Sequence, residues 1–184
     1  DLSINALTIR GNLTVDGGTI KLDGNYPTGT DNVALGNEAL DSGSLSGGNN
    51  TAIGDNALSA NTSGANNTAI GQAALCTNLT GGSNVAVGRC ALKLNTASNN
   101  VAVGYHSMCT TSSGTENTAI GMSSLKSNTT ADQNTALGNQ TLCKNTTGAN
   151  NTAVGSCSLE ANTTADGNVA VGFESLKTNT TGAR

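Results

Sequence analysis

A five-residue motif, Asn-[Thr/Val]-Ala-[Ile/Val/Leu]-Gly, recurs nine times along this chain. It ends at Gly36, Gly54, Gly71, Gly88, Gly104, Gly121, Gly138, Gly155 and Gly172. The intervals between these glycines are 18, 17, 17, 16, 17, 17, 17 and 17 residues. Four residues after each comes Leu40, Leu58, Leu75, Leu92, Met108, Leu125, Leu142, Leu159 or Leu176, with Ala, Ser or Thr just before it. A polar stretch such as Asn145-Thr146-Thr147-Gly148-Ala149-Asn150 closes each unit. A fixed period of this kind is the mark of a repeat architecture, in which each unit buries its apolar side against its neighbours.

The period excludes helical hairpins, which need about 33 residues per repeat. β-Branched residues, Asn-rich corners and Gly suit short strands joined by tight turns. The sequence therefore predicts an all-β chain, a parallel β-solenoid (β-roll) of nine coils of about 17 residues. Coils stack about 4.8 Å apart, so nine span roughly 43 Å. The 16- and 18-residue units should take up their length difference in the Ser/Gly/Asn stretch, a loop, and not in a strand.

Strand alternation sorts the motif into two faces. Thr118 and Ile120 share one face and Ala119 takes the other. The Ile column is apolar in every unit and is expected to line the coil interior. The Ala column (Ala34, Ala52, Ala69, Ala86, Ala102, Ala119, Ala136, Ala153 and Ala170) never varies. On this reading it faces outward and marks close contact with another copy of the chain. The Asn that opens each motif (Asn32, Asn50, Asn67 and so on) should form a stacked ladder at a corner, bonded to its neighbours and to turn backbone.

Composition fits a thin rod. Aromatic residues make up 2% of the chain and charged residues 11%, so any core must be Ala, Val, Ile and Leu. Net charge is −4, which gives no basic footprint for nucleic acid, and no apolar run is long enough for a membrane helix. Residues 1–31 differ from the rest: Ala6-Leu7-Thr8-Ile9-Arg10-Gly11 and Asn12-Leu13-Thr14-Val15-Asp16-Gly17 read as short strands of a β-structured shaft or adaptor. The domains expected are thus 1–31, the shaft, and 32–184, the solenoid, whose last coil reads as cut short.

Units such as Asn151-Thr152-Ala153-Val154-Gly155 and Asn67-Thr68-Ala69-Ile70-Gly71 resemble the head repeats of trimeric autotransporter adhesins (YadA-like heads). The resemblance implies a left-handed parallel β-roll with three chains around one axis. The longer coil, with Ala-Leu and then Asn-Thr-Thr-Gly, is similar to tail-fibre-like proteins of bacteriophages and large viruses, as is Gly11-Asn12-Leu13-Thr14-Val15-Asp16-Gly17 for fibre shafts. What this implies is a homotrimeric virion fibre segment, a tail fibre or a capsid-attached fibre. It would join other virion proteins at its N-terminal end and project a surface toward a host cell-surface receptor, with glycans among the candidates. The alternative location is the bacterial outer surface, as an adhesin head.

No catalytic constellation is legible. His106 is the single histidine, the carboxylates share no column, and there is no phosphate-cradling Gly-rich loop. The expectation is a non-enzyme without cofactor or metal. The two positions after each Gly vary most and should form an outward corner; Arg89, Tyr105, His106, Met122 and Phe173 are the candidate receptor contacts there. The five cysteines are odd in number and lack CxxC spacing, which suits assembly in a reducing compartment. Cys76, Cys109 and Cys143 share an expected exposed column with Lys93, Lys126 and Lys177. A third reading, ice binding, rests on the column Thr62, Thr96, Thr129, Thr146, Thr163 and Thr180, broken by Leu79.

Overall fold

The computed structural model describes residues 31–182. The expected shaft strands of residues 1–30 lie outside the described residues. Each motif forms one three-residue strand: β1 Val33–Leu35, β2 Thr51–Ile53, β3 Thr68–Ile70, β4 Val85–Val87, β5 Val101–Val103, β6 Thr118–Ile120, β7 Thr135–Leu137, β8 Thr152–Val154 and β9 Val169–Val171. They stack in sequence order as one parallel sheet, Ala over Ala at every step. The β-solenoid predicted from the period is therefore the fold. The 18- and 16-residue intervals leave strand pairing unchanged: Ala34 pairs with Ala52 and Ala86 with Ala102. The loops absorb the difference.

Backbone pairing continues well beyond the strands. In the sixth coil, Gly121 and Ser123 donate their N–H to Val103 and Tyr105 of the coil before. Leu125, Ser127 and Thr129 donate to Thr141, Cys143 and Thr146 of the coil after. Turns in this fold thus bond upward and downward alternately, and few backbone groups are left to water.

The alternation requires unusual backbone. Gly121 sits at φ 135, Ser123 at φ 55 and Leu125 at φ 48, and the same three-step pattern recurs in every coil. A side chain on Gly121 would also bring its Cβ within 2.2 Å of the Gly138 carbonyl oxygen, so only Gly fits. At the other two positions a left-handed conformation disfavours β-branching. In a chain full of Thr and Val, these sites hold only residues not branched at Cβ, such as Leu125, Met108, Ser123 and Gln140.

The interior corrects the expected faces. Thr118 and Ile120 do share a face, but it is the outer one; Ala119 points inward and is fully buried within a single chain. The same holds for Ala52, Ala69, Ala86, Ala102, Ala136, Ala153 and, within 2%, Ala170; Ala34 is half-buried. The Ala column therefore cannot be a contact between chains. The reason is volume. The turn after each Gly drives the Leu column into the lumen, where Leu58, Leu75, Leu92, Leu125, Leu142 and Leu159 are fully buried in one cluster with the alanines. Opposite a row of Leu, a coil this small has space for a methyl group only.

Two ladders of buried Asn flank this apolar strip. The expected one is present. Asn117 donates its backbone N–H to Asn100 Oδ1 (3.0 Å) and its Nδ2 to Ala131 O (2.8 Å), and its Oδ1 accepts from Asn134 N (2.9 Å). A second ladder, seven residues after the Gly in all units but the first, where Gly43 stands, and the fifth, was not singled out in the sequence. In it Asn145 Nδ2 reaches Asn128 Oδ1 (3.3 Å) and Gly148 O (2.8 Å). It fails at the fifth coil, where Thr111 stands in the Asn position and its buried hydroxyl has no partner.

Three outcomes follow. Asn117→Ala should lower stability by about 2 kcal/mol or more, since it strands buried donors and acceptors, with loss of hydrogen-exchange protection centred on coils five to seven. Thr111→Asn should raise the unfolding temperature by making the second ladder continuous from Asn61 to Asn179, a gain of about 1 kcal/mol. Ala119→Leu should destabilise the chain by about 1–3 kcal/mol through overpacking; an unchanged melting temperature would return the Ala column to the outside.

Candidate functional site

With the interior fully used by packing, any function lies on the outside, which has three distinct parts. The first is the outward side of the sheet. Its two columns hold Val or Thr at the first strand position and Ile, Val or Leu at the third in every strand. None of the residues in these columns is charged. Their side chains are half-buried to exposed, with Ile120 at 39%. At the last coil Val169 and Val171 are more open still.

The second part is the ridge formed by the two residues after each Gly, the outward corner expected from their variability. Here side chains bond from coil to coil. Asn37 Nδ2 donates to Asp55 Oδ1 (3.3 Å) and Gln72 Nε2 to Asp55 Oδ2 (3.3 Å). Arg89 Nε then donates to Gln72 Oε1 (2.8 Å), and Arg89 Nη1 to the Tyr105 hydroxyl (3.2 Å). The guanidinium carbon lies 5.7 Å from the centre of the Tyr105 ring, and that ring stacks on His106 at 4.0 Å with 14° between planes. Such a cation–aromatic arrangement holds both groups in place. Arg89, Tyr105 and His106 are thus one cluster. Met122 is exposed on the next coil along the same column. Phe173 is more exposed than Tyr105 or Met122 but stands four coils beyond Tyr105, so it belongs to no site with it.

The charge at this cluster is positive. Burial, and then the charges of Lys126, Arg89 and Lys93, hold the His106 imidazole below its ordinary pKa. At this cluster the second residue after Gly is less exposed than the first: His106 is half-buried beside exposed Tyr105, and Cys90, which shares the His106 column, is buried beside exposed Arg89.

The third part is the loop side. Its Thr column spends its hydroxyls on the neighbouring coil: Thr62 Oγ1 donates to Leu79 O (2.9 Å), Thr96 to Ser112 O (2.8 Å) and Thr146 to Thr163 O (3.0 Å). These hydroxyl protons are engaged within the chain. The column Cys76, Cys109 and Cys143 is half-buried, not exposed as expected, because its side chains lie against the coil next to the Leu column. Burial pushes all three thiols above their ordinary pKa, although neighbouring lysines pull the other way. Among the described residues no three His, Cys, Asp or Glu side chains are placed to share a metal ion, and no helix is long and apolar enough to cross a membrane.

Comparison with protein-family models gives no match. Comparisons with curated proteins and with solved structures give none either.

The cysteine environment sets a measurable reactivity. A thiol attacks as thiolate, so a raised pKa means a smaller reactive fraction at a given pH. Iodoacetamide should label Cys76, Cys109 and Cys143 in the folded chain several-fold more slowly at pH 8 than in urea. The gap should narrow as pH rises above the ordinary thiol range. Equal rates in both states, read by mass spectrometry, would show that the column is open.

Proposed function

We propose that the chain is a structural rod segment of a virion surface fibre, in which three copies pack their outward sheet faces around a common axis. One observation carries this reading: a continuous, uncharged, largely β-branched face running over nine coils, on a molecule whose ridge and loop side both carry charged residues. Contact moves from the Ala column, which packing consumes, to the two columns on either side of it.

A second copy suits this face better than an unrelated partner would. Two copies share the same coil spacing, so side chains interdigitate rung for rung along the whole length. Each outward side chain leaves on the order of 50 Å² exposed, and the eighteen together leave about 900 Å², close to the ~800 Å² per partner of a stable interface. The number three comes from the resemblance to trimeric fibre and adhesin repeats. Unpaired cysteines on the loop side support assembly in a reducing compartment, hence a virion in preference to a bacterial head. The work of such a segment is mechanical. Backbone bonds between successive coils resist bending, and the variable ridge is carried outward for attachment to a host surface.

Light scattering behind a sizing column tests the assembly. The chain has a mass of 18.1 kDa, and the expected species has three times that. An Ile70→Asp, Ile120→Asp double variant should elute as a folded 18.1 kDa monomer, because a charge desolvated in an apolar interface is strongly unfavourable. A wild-type monomer at micromolar concentration would overturn the trimer.

A further inference from the structure

The cations of this chain fall into two groups. Lys144 and Lys177 are neutralised: Lys144 lies 3.6 Å from Glu160, and Lys177 pairs with both Glu160 and Glu174. Arg89, Lys93 and Lys126 are not. Among the described residues no carboxylate lies within ion-pair distance of any of them. Arg89 and Lys93 stand on the fourth coil and Lys126 on the sixth, so the three fall within three successive coils. On a chain of net charge −4, that concentrates positive potential in one place.

The region is also pre-organised. Gln72, itself held by Asp55, accepts from Arg89 Nε, and the Tyr105 hydroxyl accepts from Nη1. This leaves Nη2 of the guanidinium without a hydrogen bond among the described residues and fixed in direction. A guanidinium held this way loses little entropy on taking an anion. The Tyr105 ring beside it is 45% exposed and propped by His106, so it offers an aromatic surface next to the anion position. Its hydroxyl keeps a proton to donate.

We infer that Arg89 and Tyr105, with Lys93 and Lys126 on the adjoining column of coils four and six, form a binding site for an acidic saccharide, its carboxylate or sulfate held by the free edge of the Arg89 guanidinium and its sugar ring laid against the exposed part of the Tyr105 ring. A ring-shaped ligand with an apolar face, hydroxyls and one anionic group matches an exposed aromatic, an adjacent donor and unpaired cations. A nucleic-acid strand matches less well, since its many phosphates would meet a molecule of net negative charge. The inference deepens the attachment role proposed above and rests on it for its biological meaning. The site itself lies within one chain, on the ridge and not on the sheet face.

Binding can be measured on the full chain whatever its mass. The probes are 3′-sialyllactose for a carboxylate, 3′-sulfolactose for a sulfate, lactose for the neutral core and sodium sulfate for the bare anion, each by saturation-transfer NMR and calorimetry. One or both acidic sugars should bind, at least tenfold more tightly than lactose, with saturation at the sugar ring protons; which one binds identifies the anion. Arg89→Gln and Tyr105→Ala should each weaken binding at least tenfold with an unchanged melting temperature, and Lys177→Ala should leave it unchanged. Absence of binding by both acidic sugars would overturn the site even if the trimer stands. Equal binding of lactose, full displacement by sodium sulfate at matched concentration, or binding that survives Arg89→Gln would overturn it too. A monomer that binds the acidic sugar would keep the site and reject the trimer.

Discussion

Each coil is positioned by the bond from an Asn backbone N–H to the Asn side-chain oxygen one coil earlier, as from Asn117 to Asn100 and from Asn134 to Asn117. The same side chain's nitrogen reaches the loop carbonyl, Ala131 O for Asn117 and Gly148 O for Asn134, so one buried amide ties strand start, loop end and preceding coil together. Removed from water, such an amide is costly unless all its bonds are made, and here they can be made only in one register. That is why strand pairing stays constant while loop length changes. Coils of 16 and 18 residues are tolerated because the register is set at the Asn and not by counting residues around the loop.

This arrangement leaves little space for a conventional core. Leu from the turn and Ala from the strand fill the lumen, and backbone bonding to both neighbours supplies much of what bulk burial supplies elsewhere. The left-handed residues after each Gly allow the turn to bond alternately up and down. They explain why the chain places Leu and Met, but no Val, Ile or Thr, four residues after the Gly. At the last coil, where no further coil stacks, Leu176 is 51% exposed although its counterparts are buried. Burial of that column comes from stacking and not from the coil alone.

Constant positions and variable positions therefore divide by role. The interior columns are fixed by volume and by amide bonding, and the sheet face is held to β-branched and apolar residues. The ridge is free of both constraints, and there the chain carries Arg89, Tyr105 and Phe173. Under the function proposed above, association along one face and recognition along another would not compete for the same side chains.

Much of this was legible in the sequence. The period, the parallel stacking, the Asn corner ladder and the outward ridge all follow from residue types at fixed spacing. The clustering of Arg89 with Tyr105 was legible in part, since both stand one place after Gly in successive coils. The second Asn ladder left a signal, Asn seven residues after the Gly in most units, but in Asn-rich polar loops that signal does not stand out. What the sequence by itself determined is the partition of each strand into two faces, because side chains alternate across a strand whatever surrounds it. What only the tertiary structure decided is which face is inside. That depends on where the turn after the Gly sends the Leu column, and once Leu occupies the lumen, Ala119 fits within it and Ile120 must remain outside.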